Sequence, residues 1–204
     1  MEEIVKRVGR RGFEAIKAEL VGVGIFLAVV WVAFFVDGVL PLDKLALRPR
    51  SFSGLPGIIA MPFLHGDLKH ILGNTFPLFV LLTLLAGSRA KSWKIVAAII
   101  VGSGVLTWLI CMPGTYVGAS ALVFGLIGFL VAAGFLERRP VPLLIAIVVG
   151  VMYGWTAITG ILPFDKQISE LSHFLGLVTG VGLAYLMSLN FDQEETQGPL
   201  EQVI

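Results

Sequence analysis

The chain reads as long uncharged apolar stretches separated by short polar segments, and the lengths of those stretches carry the first inference. A hydrocarbon core of about 30 Å, crossed at about 1.5 Å per residue, needs roughly 20 apolar residues. Residues 20–36 carry no charge and supply the first such stretch; residues 70–87, between Lys69 and Arg89, supply the second. From 95 to 136 there is no charged side chain at all, which is twice a span. Met112-Pro113-Gly114-Thr115-Tyr116-Val117-Gly118 breaks this run where Pro and Gly punctuate helices. Spans three and four flank that break. Residues 140–161 form the fifth, with Pro140 suited to a first helical turn, and 171–190 form the sixth. Neither strand-type alternation nor an internal repeat competes with this reading. The pattern predicts an all-α polytopic membrane protein, with one six-helix domain over 20–190 between a segment 1–19 and a tail 191–204.

The polar segments orient the bundle. With the N-terminus in the cytoplasm, Lys6, Arg7, Arg10, Arg11, Lys17, Arg89, Lys91, Lys94, Arg138 and Arg139 fall inside, and Lys44, Arg48, Arg50 and Lys166 fall outside, ten against four. Lys69 and Asp67 are read as solvated boundary residues of span two. The tail, acidic from Asp192 to Glu201, then also lies inside as a short polar end. Segment 1–19 is mixed in charge and helical in pattern, without a short apolar core leading to a small-residue cleavage site. It is expected to remain attached, and the compact chain suggests a prokaryotic plasma membrane.

Composition narrows the classes further. At 56% hydrophobic and 14% charged over 204 residues, the chain lies outside the soluble globular range. A net charge of +1 gives no basis for a nucleic-acid partner, which needs clustered basic surface. The single cysteine, Cys111, excludes an internal disulfide and a Cys-based metal site, and it reads as a buried, inert thiol.

Polar side chains inside spans are costly unless they face the bundle interior and find partners, so they mark where chemistry is to be sought. His70 and Asn74 are one helical turn apart on one face of span two. Span four opens with Gly118-Ala119-Ser120-Ala121, and span six carries His173 followed by Gly176 and Gly180. Sixteen rises separate Ser120 from Leu136, about 24 Å against a core of about 30 Å, so Ser120 lies several Å below the outer surface. The loop before it must dip into the membrane, where irregular backbone is tolerated only if protein buries it or water reaches it. A water-filled outer cavity is therefore expected. Gly176 and Gly180, with Ala121, Gly125 and Gly128, are the small residues that allow spans six and four to approach in lipid.

A serine hydroxyl becomes nucleophilic when a neighbouring base takes its proton, and imidazole has the right affinity near neutral pH. Ser120 and His173 supply that pair. With no Asp or Glu in the spans beside them, packing has to orient the histidine, and Phe124, one turn after Ser120, is the candidate wall. His70, Asn74 and the Ser120 backbone N–H are the available donors for an oxyanion. His65 is read as structural or interfacial.

These residues resemble the rhomboid family of intramembrane proteases. His65-x-x-x-x-His70-x-x-x-Asn74 looks like the family's second-helix motif, Gly118-Ala119-Ser120 like its nucleophile turn, and His173-x-x-Gly176-x-x-x-Gly180 like its sixth-helix motif. The resemblance runs from about residue 58 to 186. It implies a six-helix rhomboid-like bundle bathed in membrane lipids, Ser120 as nucleophile, His173 as general base and acid, and His70 with Asn74 in the oxyanion hole. It also implies no metal or cofactor, and transmembrane protein substrates cut near the outer face. Two departures stand out: Ala121 where the family usually has Gly, which is expected to restrict the turn, and Phe124 where Tyr is frequent. The external loop, 41–57, contains Arg48 and Arg50 but no clear match to the family's Trp-Arg pair. An alternative is a non-catalytic rhomboid-like protein that binds membrane clients, against which the presence of both Ser120 and His173 speaks. A proton relay through His70, Asn74 and His173 would need polar inner halves, where spans two, four and six offer little beyond Thr83 and Thr179.

Overall fold

Lipid offers the backbone no hydrogen-bonding partner, so each apolar stretch closes its own hydrogen bonds as a helix. The structure, a computed structural model, describes residues 2–89, 92–161 and 170–196. Its helices are α1 (Glu2–Asp37), the single-turn α2 (Gly57–Ala60), α3 (Leu68–Ser88), α4 (Ser92–Ile110), α5 (Ser120–Glu137), α6 (Pro140–Thr159) and α7 (Glu170–Thr196). Among the described residues, six helices are long and apolar enough to cross a membrane: Ile16–Asp37 within α1, then α3 to α6, and Glu170–Leu189 within α7. The all-α polytopic bundle expected from the pattern is what forms. Its ends differ in detail: α1 is continuous from Glu2 through the first span, and α7 runs on to Thr196. Lys91, Lys166 and the tail from residue 197 lie outside the described residues.

At the centre stands α5, with 67% of its span buried against 17% for those of α1 and α6. The reason is its partner. A Cβ on Gly180 would lie 1.9 Å from the Gly125 carbonyl oxygen, one on Gly176 2.2 Å from that of Ala121, and one on Gly128 2.5 Å from that of Leu177. Helices α5 and α7 therefore meet backbone to backbone, the contact that small residues permit where lipid supplies no hydrophobic drive for association.

The Pro-Gly break after α4 is satisfied by protein, as its depth requires. Tyr116 and Leu47 exchange backbone hydrogen bonds of 2.9 and 3.2 Å in an isolated antiparallel bridge. Trp108 Nε1 donates to the Ser51 carbonyl at 3.0 Å, so the connection between α1 and α2 lies against the end of α4. Cys111 is buried beside Tyr116, and burial pushes its thiol above the ordinary range, consistent with the inert role expected. At the opposite end of the bundle, Arg89 forms an ion pair with Glu137, their side chains 10% and 6% exposed, and the guanidinium sits 5.6 Å over the Phe129 ring. Ser92 there donates to the Glu19 carboxylate.

Candidate active site

Hydroxyls in a membrane helix ordinarily bond to their own backbone one turn back. Thr75 donates to Ile71 O at 2.7 Å, Ser103 to Ile99 O at 2.6 Å and Thr179 to Leu175 O at 2.7 Å. Ser120 is different. As the first residue of α5 it has no preceding turn to bond to, and its Oγ lies 2.8 Å from Nε2 of His173 on α7. The glycine seam brings these two helices close enough for that contact. The other ring nitrogen of His173, Nδ1, is 3.0 Å from the carbonyl oxygen of Gly160, just past the end of α6. Since only an N–H donates to a carbonyl, the proton sits on Nδ1, and the Nε2 lone pair faces the Ser120 hydroxyl. Phe124 stacks on the imidazole with ring centres 4.4 Å apart and planes 7° apart.

Around this pair lies a cavity of about 840 Å³, lined among others by His70, Asn74, Gly118, Ser120, Ser172 and His173. It matches the pocket that the shortness of span four demands. His70, Ser120 and His173 are partly exposed, whereas Asn74 is buried. Gly118 carries the turn: its φ of +109° suits glycine, and a Cβ there would meet the His70 ring at 2.5 Å and Asn74 Nδ2 at 3.7 Å. The turn into α5 thus runs directly beneath His70 and Asn74. The Ser120 amide opens α5, where the first N–H groups have no intrahelical acceptor. Of the residues singled out for chemistry, His70, Asn74, Ser120 and His173 line this cavity, and Phe124 lies against the His173 ring.

Two features differ from the sequence reading, and the structural role read for His65 acquires a definite partner. Ala121 was expected to restrict the turn, but it lies inside α5 and no positive φ is required of it; the left-handed position is Gly118. Asp67 is more than a boundary residue: its Oδ1 accepts the His70 amide N–H at 2.8 Å and caps α3. His65 is 2% exposed, packs edge-on to His70 at 5.0 Å, and its Nε2 accepts from Asn74 Nδ2 at 3.1 Å. Burial, reinforced by the charge of His70, lowers the His65 pKa to about 4, so it is a neutral acceptor at ordinary pH. By taking one of the two Asn74 amide protons it fixes that amide and leaves the second N–H for the cavity. Tyr116, also in the lining, is pushed up to about 12 by burial and stays a neutral phenol.

Six membrane spans enclosing a paired serine and histidine define a class of polytopic membrane protein. The chain belongs to the rhomboid family, whose domain matches residues 54–190. It is similar to an uncharacterized protein of Mycobacterium tuberculosis (strain ATCC 25618 / H37Rv), 36% identical over 176 residues that span 80% of this chain and 72% of the relative. An uncharacterized protein of Mycobacterium leprae (strain TN) is 32% identical over 176 residues, spanning 80% and 69%.

Proposed function

We propose that the protein is an intramembrane serine endopeptidase that cuts transmembrane protein substrates near the outer membrane face. The observation that carries this reading is the 2.8 Å contact between Ser120 Oγ and His173 Nε2 inside a cavity large enough for water and a peptide segment. His173 Nε2 takes the Ser120 proton as Oγ bonds to the scissile carbonyl carbon. The carbonyl oxygen becomes an oxyanion, received by donors from His70, Asn74 and the Ser120 amide. His173 then gives the proton to the departing amine nitrogen, and the acyl group remains on Oγ. In the second half a cavity water loses a proton to Nε2 as its oxygen bonds to the acyl carbon, and Nε2 returns that proton to Oγ as the acyl–Oγ bond breaks, releasing the new carboxyl end and restoring Ser120. The charge distribution supports N- and C-termini in the cytoplasm, with residues 1–19 and 191–204 flanking the membrane domain on that side. The bacterial relatives support a prokaryotic plasma membrane.

Reconstitution into liposomes with a generic single-span substrate tests the reading. Wild type is expected to cleave it, and Ser120→Ala and His173→Ala are not; equal cleavage by all three would end the protease reading. A mechanism-based serine probe is expected to label wild type and to fail on Ser120→Ala.

A further inference from the structure

In a three-residue triad a carboxylate holds the base in its working tautomer and stabilises the imidazolium. Among the described residues no carboxylate takes that place here, and the acceptor on His173 Nδ1 is a backbone carbonyl, that of Gly160. Its position in the fold matters. Gly160 closes α6, its N–H still bonded to Thr156 O, and carbonyls in the last turn of a helix have no intrahelical donor. The aligned peptide dipoles concentrate about half a negative charge at that end, which favours a cation. A second contact involves the same residue. A Cβ on Gly160 would fall 2.3 Å from Cζ and 3.0 Å from Cε1 of Phe124, the ring stacked on His173.

We propose that Gly160 is a positioning residue for His173: the carbonyl at the end of α6 takes the orienting part that a carboxylate takes in a triad. Its missing side chain leaves room for Phe124 to lie flat against the imidazole. Three contacts then fix the ring: Ser120 on one nitrogen, Gly160 on the other and Phe124 on its face. With the opposite tautomer, Nε2 would carry the proton and could not accept the serine's. This assignment rests on the endopeptidase reading and deepens it.

The test uses the full chain in detergent micelles with 15N-labelled histidine, together with cleavage kinetics. At about pH 8, where an ordinary imidazole is neutral, the wild-type spectrum should show His173 protonated on Nδ1 and bare on Nε2. Gly160→Ala should give mixed tautomers and lower kcat by about a hundredfold, the scale of a 1 Å misplacement, with KM within about twofold. In a Phe124→Ala background the same change should cost less than about threefold, because the ring it displaces is gone. A Gly160→Ala chain that folds only when Phe124→Ala is added would support the contact equally. A wild-type His173 bearing its proton on Nε2, a Gly160→Ala variant with unaltered tautomer and kcat, or full additivity of the two changes would each overturn the proposal. If wild type neither cleaves substrate nor takes the serine probe, the endopeptidase reading fails, while the tautomer spectrum still decides the role of Gly160.

Discussion

At one end of the bundle, the cavity end, α3, α5 and α7 begin around a cavity of about 840 Å³ and leave His70, Ser120 and His173 partly exposed to it. At the opposite end Arg89 closes on Glu137, and α5 is buried without interruption from Ala121 to Leu130 on the way there. The cavity end gives up packing to admit polar groups and space. The opposite end uses Arg89 and Glu137 to join α3 to α5. Candidate chemistry and stability are therefore separable by position along the helices, and substitutions at the two ends should act differently.

The largest effect is expected at the end opposite the cavity. Glu137→Ala leaves a buried guanidinium unpaired and should cost about 3–5 kcal/mol in thermal unfolding in micelles, while serine-probe labelling per folded molecule stays at the wild-type rate. At the cavity end, on the endopeptidase reading, Asn74→Ala should lower kcat by about 10²–10³, or about 2.7–4 kcal/mol of barrier, as loss of an oxyanion donor does. Its stability cost should be only about 1 kcal/mol, for the lost His65 contact. Stability at the cavity end should also carry a pH signature. His65 titrates near 4 when folded and near 6.5 when unfolded, so the unfolded chain binds the extra proton in that window. Its contribution is complete above 6.5 and is lost as pH falls toward 4. A melting midpoint that is flat over this range in wild type, or that declines equally in His65→Gln, would contradict the buried neutral acceptor. Between the two ends, Gly180→Ala pushes against the Gly125 carbonyl and should cost about 1–3 kcal/mol. The smallest effect is Gly182→Ala, where a Cβ meets nothing within 4 Å; its midpoint should move by less than about 0.5 kcal/mol.

The spans were legible in the sequence because lipid imposes one rule, uncharged length, and the chain obeys it six times. The candidate site was legible for a related reason. His70, Asn74, Ser120 and His173 are polar residue types in places where lipid penalises them, so each announces itself. What was read only coarsely, or not at all, lacks that contrast. His65 lies just before the second span, where a polar residue is unremarkable, and only its burial and its bond to Asn74 mark it. Asp67 offered a signal that was available, a capping residue three positions before His70. The Gly160 carbonyl offered none, since every residue has one and only the approach of α6 to α7 selects it. The worry about Ala121 failed because sequence spacing locates a turn to within a few residues, whereas the positive φ falls at Gly118.

The paired hydroxyl and imidazole stand 53 residues apart along the chain, on α5 and α7, with α6 between them. During synthesis, five spans exist before the last one emerges, and until then Ser120 has no imidazole partner. On the endopeptidase reading, a nascent chain threading into the membrane beside single-span proteins is thus chemically silent, and it gains reactivity only when its final helix docks on the glycine seam, so insertion order itself guards against premature cutting.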